Sequence, residues 1–225
     1  MEIELKIDSL AFGGMGVSRI GEMIVFVKNA IPGQTVLARI TKKRSSFLEA
    51  RKINLIEESP QSIPVKCDHF NDCGGCTFQN LDYKIQTKYK EQHVHDNFKR
   101  IGGFTQFDAE PILVCNDIFH YRNKMEFTFS NRRWITDDEP ENVDDSFALG
   151  LHISGRYDKI LDINYCHLQS KDANRILSIV KKMCLDLEIP AYDIKEHKGF
   201  MRHLMIRHGG ATDEIMVNLV TSKDG

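Results

Sequence analysis

The sequence predicts a β-rich α+β fold: a small OB-like β-barrel followed by a mixed α/β domain. Three observations lead there. Residues 1–58 hold five short apolar runs, each closed by a turn signal such as Gly13-Gly14, Gly21-Glu22 or Pro32-Gly33. The rest is rich in strand-forming runs and is interrupted by only two helical patterns. Four cysteines, three of them close together, occur just after the first block. The 225 residues suffice for one large domain or two smaller ones.

In chain order, strands are expected near 2–8, 16–20, 23–29, 35–43 and 47–56. The run Ile24-Val25-Phe26-Val27 is continuous and β-branched or aromatic, which predicts burial on both faces. Five strands in so short a span suit an OB-like barrel over residues 1–58. Residues 57–64, with two prolines and two serines, read as a linker to a second domain over 65–225. Asn80 is placed to cap a helix from Leu81 to about Arg100, stopped by Gly102-Gly103. Its apolar stripe (Leu81, Ile85, Val94, Phe98, Ile101) is imperfect. Strands follow at Pro111–Cys115, Met125–Ser130, Phe147–Ile153 and Lys159–Tyr165. A second helix is expected over Lys171–Leu187, facing the core with Ala173, Ile176, Leu177, Val180, Cys184 and Leu187. Strands at 200–207 and 214–221 complete the pattern, and the chain stops just after a strand, which hints at truncation. The glycines Gly13, Gly14 and Gly16 match no phosphate-binding spacing and read as turn glycines.

Cys67, Cys73 and Cys76 form C-x5-C-x2-C, and Cys166 is a distant fourth thiol. Four soft thiolates can complete the ligand set of an iron–sulfur cluster, and the second domain is read as an iron–sulfur domain on that ground. Zinc with four thiolates is the alternative, although structural zinc sites usually use two short cysteine pairs. Plain buried cysteines are the third reading. Gly74-Gly75 lets the backbone bend tightly between two of the sulfurs. His69 reads as a hydrogen-bonding residue more than a ligand. Cys115 and Cys184 read as buried and unreactive.

The formal charge is −2, but six acids and no bases lie in 137–145; without that stretch the sum is +4. It reads as a solvated acidic loop insertion. Residues 39–52 carry six bases against one acid, and 84–100 five against two. Lys42, Lys43 and Arg44 are therefore candidate phosphate contacts. Arg122 and Lys124, two apart on an expected strand, would point to one face and could clamp a phosphate. No run has the roughly 18–20 apolar residues of a membrane helix, and the start lacks a signal peptide. A cytoplasmic protein with reduced thiols follows.

Taken together, these segments resemble the S-adenosylmethionine-dependent RNA uracil-5-methyltransferases that carry a TRAM domain and a 4Fe-4S cluster, typified by the 23S ribosomal RNA enzymes. Residues 9–34 (S-L-A-F-G-G-M-G-V-S-R to P-G-Q) are similar to the TRAM opening and include Arg19, which joins the candidate RNA contacts. C-x5-C-G-G-C with T-F-Q-N-L-D-Y-K-I-Q resembles the family's cluster loop and following helix. H-Y-R-N-K-M-E-F and D-I-N-Y-C-H-L-Q resemble its RNA-facing strand and the segment of the fourth ligand. The resemblance implies a cysteine that adds to C6 of uracil, methyl transfer from S-adenosylmethionine to C5, loss of the C5 proton and release of the cysteine. It also implies a flipped base and RNA as partner, 23S rRNA or else tRNA, without DNA or membrane and as a monomer. No glycine loop for the cofactor and no Asp-Pro-Pro run is found in these residues, so no catalytic residue is carried over. The expectation is an RNA-recognition half, comprising amino-terminal and central domains only and inactive alone. A free-standing iron–sulfur RNA-binding module is the alternative.

Overall fold

The computed structural model describes residues 1–136, 139–140 and 142–223. Those residues are β-rich with two principal helices and form two compact units. The first comprises residues 1–65 and 77–116, the second residues 66–76 and 117–225.

In the first unit the strands are β1 (Glu2–Lys6), β2 (Ser9–Leu10), β3 (Gly16–Ile20), β4 (Met23–Lys28), β5 (Thr35–Lys43) and β6 (Phe47–Glu57). They form one sheet in the order β1-β5-β6-β4-β3-β2, with β4 and β6 parallel and the other pairs antiparallel. Its two edge strands are neighbours in sequence, so the sheet curls back on itself. The core is Leu5, Ile7, Val25, Val27, Val36 and Ala38, all nearly inaccessible. The run 24–27 corrects the expectation of two buried faces. Val25 and Val27 point into the core, whereas Ile24 and Phe26 alternate to the other face and stay half-buried.

Residues 57–64 are not a slack linker. Ser59 is buried and its hydroxyl donates to Pro32 C=O (2.7 Å), while Gln34 Nε2 donates to Glu58 (2.8 Å). Helix α1 (Tyr83–Asp96) then packs within this same unit. Leu81, fully buried, meets Leu10 and Ile31, and Ile85 and Tyr89 pack beside them. This is why the compact units divide differently from the expected 1–58 and 65–225. The cap is Asp82 rather than Asn80: its carboxylate accepts from Lys84 N–H at 2.9 Å. The last expected turn, Asn97–Ile101, is π-helical, and Val94, Phe98 and Ile101 are exposed there. Residues 111–115 form no strand, and Cys115 is exposed, its N–H bonded to the Tyr83 hydroxyl (3.0 Å). The expectation of a buried Cys115 is corrected accordingly.

In the second unit β7 (Lys124–Ser130), β8 (Ala148–Ile153), β9 (Arg156–Asp162), β10 (Met201–His208) and β11 (Ile215–Thr221) form an antiparallel sheet in the order β11-β10-β7-β8-β9. Helix α2 (Lys171–Asp186) is capped by the Ser170 hydroxyl, which accepts from Ala173 N–H (3.1 Å). Ala173, Leu177 and Cys184 join Phe127, Leu149, Leu161, Ile163 and Leu204 in the core. Leu187 does not; it is exposed just beyond the helix end. Of the acidic stretch, residues 137, 138 and 141 lie outside the described residues. The remainder is engaged rather than merely solvated. Glu139 accepts from Arg133 (3.0 Å), and Asp145 pairs with Arg132 (3.2 Å). Among the described residues no helix is long and apolar enough to cross a membrane.

Candidate functional site

The second unit brings Cys67, Cys73, Cys76 and Cys166 into one neighbourhood. Cys67 opens a tight turn, its C=O accepting from Phe70 N–H (3.2 Å). His69 C=O then accepts from both Cys73 N–H (2.8 Å) and Asp72 N–H (3.3 Å). The loop is pinned to the end of the β8–β9 hairpin: Gly74 N–H donates to His152 C=O (3.1 Å) and Ser154 N–H to Asp72 C=O (3.3 Å). Gly74 has a packing reason to be glycine, since a Cβ there would lie 3.1 Å from that same His152 oxygen. Gly75 N–H points at the Cys73 sulfur (3.3 Å), the kind of donor that stabilises a thiolate. His69 is half-buried, and its Nε2 meets Asn164 N–H (3.4 Å), consistent with a hydrogen-bonding role.

Cys166 is presented from the other side, between β9 and α2, where it is buried in the core. Asn174 on α2 clamps its backbone: Oδ1 accepts from Cys166 N–H (2.8 Å) and Nδ2 donates to Cys166 C=O (3.0 Å). The same amide accepts from Gln169 Nε2 (2.9 Å) and donates to Ser170 C=O (3.0 Å). Cys73 and Cys76 pack against the core cluster that contains Cys166. Sequence reasoning missed Asn174. Its signal was a polar residue at a core-facing position between Ala173 and Leu177.

The electrostatics of the four thiols are coupled. Burial pushes the Cys73 thiol up to about 11; the Gly75 N–H opposes this, and Cys76, Cys166 and Cys67 add to it. Burial likewise raises Cys67, a backbone hydrogen bond opposes it, and Cys76 and Cys166 contribute to the rise. Among the described residues no group of three or more His, Cys, Asp or Glu side chains is placed to hold a metal ion. Cys184, by contrast, lies in the α2 core with its thiol raised by burial, as an inert cysteine should.

In the first unit Arg19 sits on β3 and Lys42, Lys43 and Arg44 at the end of β5, all exposed. The ladder register runs Arg19↔Ile24 and Ile24↔Phe47, with Lys43↔Leu48 on the next rung. The cations therefore share one end of the sheet, with β3 and β5 roughly 14 Å apart across three strand spacings. Register partners share a face, so Arg19, Ile24 and Phe47 lie together. Phe26, on the same face of β4, meets Phe47 edge-on at 5.5 Å. Half-buried aromatics flanked by cations are what a nucleic-acid face requires. The two phenylalanines were not singled out from sequence, because alternation along β4 was masked by its unbroken apolar run. Lys42 is partly neutralised by Glu49 (3.6 Å).

The expected Arg122–Lys124 clamp on one strand face is corrected. β7 begins only at Lys124, and Arg122 precedes it with its N–H bonded to Leu168 C=O (2.9 Å). Its Nε donates to Lys124 C=O (3.2 Å), and Lys124 Nζ pairs with Glu126 (3.4 Å). Both side chains are exposed, but strand alternation does not align them.

Comparison with known proteins gives four findings. Residues 1–53 match the family model of the TRAM domain. An uncharacterized RNA methyltransferase of Porphyromonas gingivalis is 39% identical over 98% of this chain and 49% of its own length. One of Chlorobaculum tepidum is 37% identical over 93% of this chain and 43% of its own length. The solved tRNA (uracil-54, C5)-methyltransferase of Pyrococcus abyssi, in complex with S-adenosyl-L-homocysteine, superposes over 99% of this chain and 46% of its own. Its TM-score is 0.68 at 26% identity. The chain spans about half the length of the curated relatives it matches.

These matches correct the expectation of an inactive recognition half limited to amino-terminal and central domains. They run through 93–98% of this chain in proteins named as methyltransferases, and through 99% of it in one solved with S-adenosyl-L-homocysteine. The reading as a separate module without catalysis is not kept. The chain aligns with methyltransferase sequence throughout.

Proposed function

We propose that the protein is an S-adenosylmethionine-dependent RNA methyltransferase that modifies C5 of a uracil. The observation that carries this reading is the superposition of nearly the whole chain on a uracil-C5 methyltransferase. The thiol quartet and the cations and aromatics at one end of the first sheet add to it.

The roles of the residues follow from their placement. Arg19, Lys42, Lys43 and Arg44 draw in the phosphate backbone by charge, without reading sequence. Phe26 and Phe47 offer an apolar surface against which an unstacked base or ribose can rest. Cys67, Cys73, Cys76 and Cys166 would hold a 4Fe-4S cluster, which would fasten the 66–76 loop to the segment before α2. The donor set fits that group in ligand type and in number. Bound there, the cluster supplies a rigid cross-link, comparable to a structural metal site. A reducing, cytoplasmic setting keeps such thiols available. S-adenosylmethionine supplies the methyl group to C5, which loses its proton in exchange.

The test uses protein expressed from its whole gene, with RNA carrying tritium at C5 of uracil. Methylation at C5 releases that tritium to water in step with methyl uptake from S-adenosylmethionine. Methyl uptake without tritium release would overturn the C5 assignment. Separate tRNA and 23S rRNA transcripts identify the substrate.

A further inference from the structure

We propose that the groove formed by the end of α1, its π-helical extension and the loop 104–107 is a binding site for one nucleotide of single-stranded RNA, its base against Phe107 and its phosphate on Lys99 and Arg100. This rests on the reading of the protein as RNA-binding and deepens it. No residue of this groove belongs to the barrel face or to the cysteine site.

The groove has a volume of about 660 Å³ and is lined by His95, Asp96, Lys99, Arg100, Gln106 and Phe107, among others. That is within the roughly 300–1,000 Å³ of small-ligand sites. Its shape comes from the π-turn. Gly102 N–H donates to Asn97 C=O (2.9 Å), and Phe104 N–H reaches Phe98 C=O (3.1 Å). This widened turn folds the loop back beside the helix. π-Turns of this kind recur at functional sites.

The lining combines three chemistries. The first is aromatic. Phe107 is stacked on Phe98 at 5.2 Å and tilted against His95 at 5.3 Å, and Phe104 meets Phe98 at 5.7 Å. Phe98 and Phe104 remain 45% and 52% exposed, so the stack is a surface platform and not a closed core. The second is cationic. Lys99 has no ion-pair partner among the described residues, and Arg100 is 77% exposed with a single pairing, to Asp96 at 3.4 Å. A guanidinium has five N–H donors, so that contact leaves most of the fork for a phosphate. The third is amide and hydroxyl. Gln106 and Thr105 can meet a base edge, while Gln92 donates to Asp96 (3.2 Å). Asp96 is the groove's carboxylate, and Arg100 and Gln92 both occupy it. An apolar peptide would leave Lys99 and most of the Arg100 fork unused, and a free anion would leave the stack unused. A nucleotide matches both at once.

The experiment measures binding of a short single-stranded RNA carrying 2-aminopurine, across a range of salt concentrations. The proteins compared are the wild type, Lys99→Gln with Arg100→Gln, Phe107→Leu, and the barrel variant Lys42→Gln with Lys43→Gln and Arg44→Gln. Loss of the one phosphate contact that both cations make lowers the salt slope by about 0.7 in the groove double variant. Phe107→Leu weakens binding about tenfold and removes the fluorescence quenching of the stacked base. Lys99 and Arg100 are exposed, so their variant keeps its fold, which circular dichroism checks. If both groove variants bind and quench as the wild type does while the barrel variant binds weakly, the groove assignment is overturned and RNA binding stands. If the wild type binds no RNA, both readings fall.

Discussion

Replacing Asn174 by leucine isolates what places Cys166. Leucine has the same branched heavy-atom skeleton as asparagine, though bulkier, and neither donates nor accepts a hydrogen bond. The change leaves Cys166 N–H, Cys166 C=O and Gln169 Nε2 without the partners they now have at 2.8, 3.0 and 2.9 Å. Cys166 is 9% exposed and Gln169 1%, so water does not readily take over. A buried polar group left bare costs about 1–3 kcal/mol, so three of them cost about 3–9 kcal/mol, with relaxation of the loop keeping the loss toward the lower end. Domains are stable by about 5–15 kcal/mol, so the loss is large but survivable. Two assays read it. Urea unfolding of anaerobically purified protein gives the stability change, and iron and sulfide content per chain gives the state of the cysteine site. On the proposed cluster assignment, the expected result is a midpoint well below wild type together with most of the iron lost. Ser178→Ala serves as control. It lies one turn further along α2, its hydroxyl bonding only Asn174 C=O (3.1 Å), and it should stay within about 0.5 kcal/mol with full iron. An Asn174→Leu protein with wild-type stability and iron would refute the claim that this amide positions the fourth thiol.

Two further outcomes follow from local geometry. Gly150→Ala should cost about 3 kcal/mol or more, since a Cβ there would lie 1.8 Å from Leu161 C=O, a ladder oxygen of the adjacent strand; an unchanged thermal midpoint would contradict this. Glu139 is held down at about 2, chiefly by the hydrogen bond from Arg133, against about 4.3 for an unpaired carboxyl. A lowered folded value means that its stabilisation is present above pH about 4.3 and fades as pH falls toward about 2. Removing the charge with Glu139→Gln should cost about 1 kcal/mol near neutrality and little at the acid end, as denaturant titrations at a series of pH values would show. A constant difference across that range would argue against the pair.

Most of the secondary structure was legible in the sequence, for physical reasons that differ by element. The barrel strands were readable because turn pairs such as Gly13-Gly14 and Pro32-Gly33 punctuate them, and Gly13, Gly14 and Gly33 do adopt positive φ. Helix α2 was readable because its apolar residues recur on one face and a serine caps it. Residues 111–115 misled because an apolar run carries no information about what will cover it, and here Leu113 is 97% exposed. The N-cap was misplaced by two residues because both Asn80 and Asp82 are good caps, and only the packing of Leu81 against Leu10 and Ile31 decides where the helix begins.

The sequence by itself determined the residue types of the cysteine site: four soft sulfurs, two glycines that let the loop bend, and a distance in sequence that only folding could close. What the tertiary structure alone decided is that these four cysteines fall within one unit, beside a hairpin end and a helix amide that no spacing rule predicts. It alone decided that α1 joins the barrel and opens a groove where its last turn widens. The physical reason is the same in each case. Local propensity acts over a few residues, whereas a buried polar clamp or a widened helical turn is stable only once distant segments have supplied its partners.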